Sequence, residues 1–99
     1  MGPVYVEVLT SPNCPYSPKA LRIAETVTRK TFGESVVLRE ISVATSEGEM
    51  IANEYQIEAT PTITINGKIA FVGVPSARVL GGLIKVEFER EKRMSSAYF

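Results

Sequence analysis

The sequence predicts an α/β fold with the element order β-α-β-α-β-β-α: a four-stranded mixed sheet, strand order 2-1-3-4, with helices on both faces. Three observations carry that expectation. An apolar run, Val4 to Leu9, passes into a helical pattern in which Ala20, Ile23, Ala24 and Val27 are spaced by three and four. Two short strand-like segments flank Asn66-Gly67, a strong type I′ hairpin signal. A second helical period follows at Val79, Leu80, Leu83 and Ile84.

Taken in order, Val4 to Leu9 is broken only by Glu7 and reads as a parallel strand buried on both faces. The first helix is expected from Cys14, with Pro15 at its first position, and Gly33 ends it. Pro18 is expected to loosen the backbone there, because proline disfavours an α conformation in the residue before it, Ser17. Ser35 to Val43 supplies a second strand, reached by a right-handed crossover. Ser46-Glu47-Gly48-Glu49 fits a capping box that opens a short helix ending near Gln56, its stripe of Met50, Ile51 and Tyr55 assigned to the core. Thr62 to Ile65 and Lys68 to Val72 form the hairpin, and Ser76 caps a last helix whose apolar face reaches Phe88. Gly81-Gly82 inside that helix costs about 1 kcal/mol per glycine against alanine unless a close approach requires them. Residues 87–93 are highly charged and 94–99 show no period, so one domain over 1–99 is expected, with its core in 4–92 and a frayed tail from 93.

Composition narrows the function. Hydrophobic residues make up 44%, and eleven basic residues balance eleven acidic ones, so nothing attracts nucleic acid or an anionic membrane. No segment approaches the ~18 apolar residues of a membrane span, and Met1-Gly2-Pro3-Val4 lacks a basic signal-peptide start, so a cytoplasmic, monomeric protein is expected. A single cysteine excludes an internal disulfide, as suits a reducing compartment. With no histidine present, proton transfer near neutral pH falls to a shifted carboxylate, the thiol or water. No cofactor and no metal set is expected.

That single cysteine, Cys14, is the candidate nucleophile. It lies between a strand and a helix start, where unpaired backbone N–H groups and the helix dipole favour the thiolate, the reactive form. Cys14-Pro15-Tyr16-Ser17 has the spacing of a C-x-x-C redox motif with the second sulfur replaced by oxygen. Tyr16 is assigned substrate contact rather than catalysis. Glu7 is read as one partner of an ion pair, with proton transfer as the lesser alternative.

Ser11-Pro12-Asn13-Cys14-Pro15-Tyr16-Ser17-Pro18, Ala59-Thr60-Pro61-Thr62, Ile65-Asn66-Gly67 and Gly73-Val74-Pro75-Ser76, in this order, resemble the small, glutaredoxin-sized thioredoxin-fold proteins of archaea. The resemblance spans roughly residues 4–92. It implies electron transport by thiol–disulfide exchange with protein disulfides, and a thioredoxin-reductase-type reductant or a low-molecular-weight thiol as the source of electrons. It also implies a cis peptide bond at Pro61, with Pro61 against Cys14 and the Thr60 backbone pairing with substrate. Pro15, Tyr16, Gly73 and Val74 would complete the substrate surface.

The departures are as informative. Dithiol members carry cysteine where Ser17 stands, and a hydroxyl cannot resolve a mixed disulfide as a second thiolate does. Two origins fit: a natural one-thiol member, or a Cys→Ser substitution that blocks resolution. The dithiol-type surroundings, including Pro18-Lys19-Ala20, favour the second. Glutaredoxins commonly place a lysine where Ser11 stands and a Gly-Gly stretch where Gly73-Val74 stands, while thioredoxins proper have a tryptophan beside the motif and a buried acid at the position of Val8. The sequence therefore resembles a hybrid. A one-thiol glutaredoxin using glutathione and a glutathione-dependent iron–sulfur carrier are the rival readings.

Overall fold

The computed structural model describes residues 2–96, with side chains described for 2–92. Its elements are β1 (Val4–Thr10), α1 (Ser17–Val27), β2 (Val36–Ser42), α2 (Ser46–Glu54), β3 (Thr62–Ile65), β4 (Lys68–Val72) and α3 (Ala77–Ser96). The sheet order is β2-β1-β3-β4, with β1 parallel to β2 and antiparallel to β3, and β3 antiparallel to β4. The expected order and topology are those observed.

The core lies between the sheet and the pair α1 and α3. Alternation sends Val4, Val6 and Val8 to that face, where they are fully buried with Ala20, Ala24, Ile63, Leu80 and Ile84. Burial of this kind stabilises by about 1.5–3 kcal/mol per large aliphatic side chain. Beyond Val27 the chain continues through a π-helical turn, Thr28–Phe32, before Gly33 turns it at φ +56°. Phe32 stacks on Phe88 of α3 with ring centroids 5.4 Å apart, closing this end of the core.

The other face is covered only in part, which corrects the reading of β1 as buried on both sides. Leu9 and Ile41 are buried there, but Tyr5 is 49% exposed and Glu7 partly exposed. The cause is length: α2 has nine residues, about 13 Å of helix at 1.5 Å per residue. β1, with seven residues, runs about 23 Å. On the uncovered stretch Glu7 takes the ion pair read from the sequence. Arg39 reaches it at 3.5 Å, Thr64 Oγ1 donates to its other oxygen at 3.3 Å, and Arg39 also pairs with Glu47 of α2.

Three local expectations shift. Helix α1 starts at Ser17 rather than Cys14; Tyr16 caps it, and Pro18 lies within its first two residues, where a missing N–H costs no helical bond. Ser17 is therefore helical and firmly held rather than loosened. The cap of α2 is Thr45, whose Oγ1 accepts the Gly48 N–H at 3.0 Å, one residue earlier than the expected Ser46 box. The packed face of α2 runs through buried Gly48 to Ile51 and Tyr55, three and seven residues on, so Met50, two residues on, points away and is 72% exposed.

The remaining local signals hold. Asn66 and Gly67 adopt φ +50° and +79°, as a type I′ turn requires. Ser76 Oγ accepts the Val79 N–H at 3.1 Å. No close approach accounts for the glycine pair in α3. A β-carbon at Gly81 would make ordinary contact with Val27, 3.9 Å away, and one at Gly82 would meet nothing within 4 Å. Helix α3 extends to Ser96, past the expected start of the tail; residues 97–99 of that tail lie outside the described residues.

Candidate active site

Cys14 sits in the short connection between β1 and α1, which two turns tie together. Its N–H donates to the Ser11 carbonyl at 3.1 Å, and the Ser17 N–H donates to the Cys14 carbonyl at 3.4 Å. Ser17 opens α1 and is 3% exposed; its Oγ accepts the Ser11 N–H at 3.2 Å. From the opposite side of the site the β2-to-β3 half of the chain brings in Thr60. Cys14 Sγ donates to the Thr60 carbonyl oxygen at 3.2 Å, a contact between residues 46 apart in sequence.

The Cys14 thiol is pulled from an ordinary 9.0 to about 7. The Ser17 side chain is the largest cause, the Thr60 side chain follows, and the Tyr16 and Ser17 backbone add to them, while desolvation opposes. The Thr60 carbonyl also opposes, since an acceptor can bind only the protonated sulfur. The hydroxyls and helix-start N–H groups prevail. The sulfur thus gains from the helix start as the sequence predicts, although it precedes the helix rather than opening it.

The other sequence-derived residues divide into two groups. The Thr60-Pro61 peptide bond is cis, Pro61 is buried, and its carbonyl accepts the Gly73 N–H at 2.8 Å, which sets Gly73 and Val74 beside the shelf. The sulfur's hydrogen-bond partner beside this proline is the Thr60 carbonyl. Pro15 and Tyr16 face outward, Tyr16 being 63% exposed, and both are open to an incoming chain.

The structure adds residues that the sequence reading did not place at the site. A cleft of about 310 Å³ behind Cys14 and Ser17 is lined also by Thr10, Leu21 and Glu40. Glu40 accepts a hydrogen bond from Thr10 Oγ1 at 2.9 Å. It is the parallel partner of Val8, so pairing of β2 with β1 brings it to the wall of this cleft. A mid-strand glutamate was visible in the sequence, but the register that aims it here was not. The arrangement offers a thiol that ionises near neutral pH, the Thr60-Pro61 backbone opposite it, and a buried hydroxyl on Ser17 beside it.

Comparison with known proteins finds relatives over most of the chain. A protein of Methanothermobacter thermautotrophicus named "Probable Thioredoxin" is 38% identical over 86 residues, covering 87% of this chain and 98% of the relative. The thioredoxin of Methanocaldococcus jannaschii is 40% identical over 85 residues, covering 86% and 96%. Among solved structures, a protein disulfide oxidoreductase of Aeropyrum pernix superposes with a TM-score of 0.73 at 33% identity, over 85% of this chain and 37% of that one. The thioredoxin domain family model matches residues 4–85, so the fold is the thioredoxin fold and the chain belongs to the thioredoxin family.

Proposed function

We propose that this chain is a thiol–disulfide oxidoreductase acting on protein disulfides in the cytoplasm, and that with Ser17 it works as a one-thiol form. The observation that carries the reading is the Cys14 thiol, its pKa lowered to about 7 and its sulfur hydrogen-bonded to the Thr60 carbonyl at 3.2 Å. The Cys14 thiolate attacks one sulfur of a substrate disulfide. The new Cys14–substrate S–S bond forms as the substrate bond breaks, and the second substrate sulfur leaves as a thiolate. A disulfide approaching along Thr60-Pro61 as an added strand is held with its sulfur near Cys14, and Tyr16, Gly73 and Val74 border it.

Resolution then needs an outside thiol. Ser17 stands where a second sulfur would attack, but a hydroxyl is far too weak an acid to do so near neutral pH, and the adduct persists. A thioredoxin-reductase-type protein or a low-molecular-weight thiol would complete the cycle in the cell. The chain acts as a monomer in this reading.

The test is Ser17→Cys in an insulin-reduction assay with dithiothreitol. The variant gives faster turnover and an internal disulfide on oxidation, while the present chain accumulates mixed disulfides resolvable on a non-reducing gel. Equal rates for both forms, with no internal disulfide in the variant, would sink the one-thiol reading and turn attention to glutathione as the resolving thiol.

A further inference from the structure

The charged residues that line the two clefts beside the Cys14–Thr60 contact are of one sign. Besides the cleft containing Glu40, a second of about 310 Å³ opens on the far side of Ser11, lined by Thr60, by Glu49 and Asn53 of α2, and by Glu58. Ser11 lines both clefts, so they flank the Cys14–Thr60 contact. Neither is lined by lysine or arginine, although the chain carries eleven basic and eleven acidic residues. Lys19 and Arg22 on α1, the cations nearest Cys14 along the chain, line neither cleft, and Arg39, next to Glu40 in sequence, pairs with Glu7 and Glu47. Among the described residues the ion pairs engage Glu7, Glu47 and Glu87, leaving Glu40, Glu49 and Glu58 without a cation.

We propose that Glu40, Glu49 and Glu58 are specificity determinants of the Cys14 site, selecting substrates whose disulfide is bordered by lysine or arginine and disfavouring anionic thiols such as glutathione. This rests on Cys14 being the attacking nucleophile. The physical reason is a summed field: exposed carboxylates on both sides of one sulfur attract a cationic chain toward the thiolate and repel an anionic one. Each pairwise attraction is weak in water, so the preference shows chiefly as an association rate and is screened by salt. Cation selection also offsets a handicap of the site, because an approaching anionic disulfide meets both the carboxylates and the thiolate.

The test uses three short peptides whose cysteine carries a 2-thiopyridyl disulfide and is flanked by lysines, serines or glutamates. Attack by the Cys14 thiolate on the peptide sulfur releases pyridinethione, which absorbance follows. At low ionic strength the lysine peptide reacts faster than the glutamate peptide by about tenfold. That ratio falls toward one in about 1 M salt, where the screening length is about 3 Å. The Glu40→Gln/Glu49→Gln/Glu58→Gln variant loses the ratio and reacts faster with oxidised glutathione. A Glu25→Gln/Glu34→Gln control, changed in the last turn of α1 and in the turn beyond Gly33, keeps the preference.

Equal rates for the lysine and glutamate peptides at low salt, or a ratio that survives the triple substitution, would overturn the proposal. Failure of the serine peptide to react at all would instead overturn the assignment of Cys14 as nucleophile, and this proposal with it.

Discussion

The Ser17 side-chain oxygen accepts the Ser11 backbone N–H at 3.2 Å, so its own hydrogen is free for the Cys14 sulfur. A buried hydroxyl thereby joins the two ends of the active loop. That hydroxyl is the largest of the causes that lower the Cys14 thiol.

A pH dependence follows. Because the folded thiol titrates near 7 rather than 9.0, the thiolate predominates above about pH 7 and is lost as pH falls through that value. Alkylation of Cys14 by iodoacetamide is therefore half-maximal near pH 7. In Ser17→Ala the largest stabilising donor is gone and the midpoint moves upward, toward the ordinary thiol value. A midpoint unchanged by the substitution, followed by thiolate ultraviolet absorbance, would remove Ser17 from the account.

Two glycines should respond oppositely to alanine. Gly82→Ala, with nothing within 4 Å of the added carbon, raises stability by about 1 kcal/mol, the helix-propensity difference. Gly48→Ala lowers it by at least about 1–3 kcal/mol, since the added carbon collides with the Ser42 carbonyl and stands 2.9 Å from Val43 Cα. Urea denaturation of both variants checks the signs.

Asn66 does more than supply a turn conformation. Its backbone N–H and Oδ1 exchange hydrogen bonds with the Tyr5 carbonyl and N–H, both at 2.8 Å, and its Nδ2 donates to Glu91 of α3 at 2.8 Å. Asn66→Gly keeps the positive φ but loses the two side-chain bonds, and should cost about 1–3 kcal/mol. Thermal unfolding measures it; a loss no larger than about 0.3 kcal/mol would mean that these bonds exchange freely with water.

The elements of this protein were legible in its sequence because their causes are local. Apolar spacing at Ala20, Ala24 and Val27 sets a helix face, Asn66-Gly67 permits two positive φ angles in succession, and the Ser76 hydroxyl caps α3, each within a few residues. The order of those elements, with Cys14 between a strand and a helix and Thr60-Pro61 before another strand, was enough to point to the family. Tertiary structure decided what depends on packing at a distance. Met50 is exposed because α2 packs through Gly48, and Tyr5 is exposed because nine helical residues cannot cover the strand beside them. The Cys14–Thr60 contact joins residues 46 apart, and Glu40 lines the cleft beside Cys14 only through its parallel register with Val8. A one-residue slip in that register would turn Glu40 to the opposite face, which is why the chemistry of the thiol could be read from the chain while the charges around it could not.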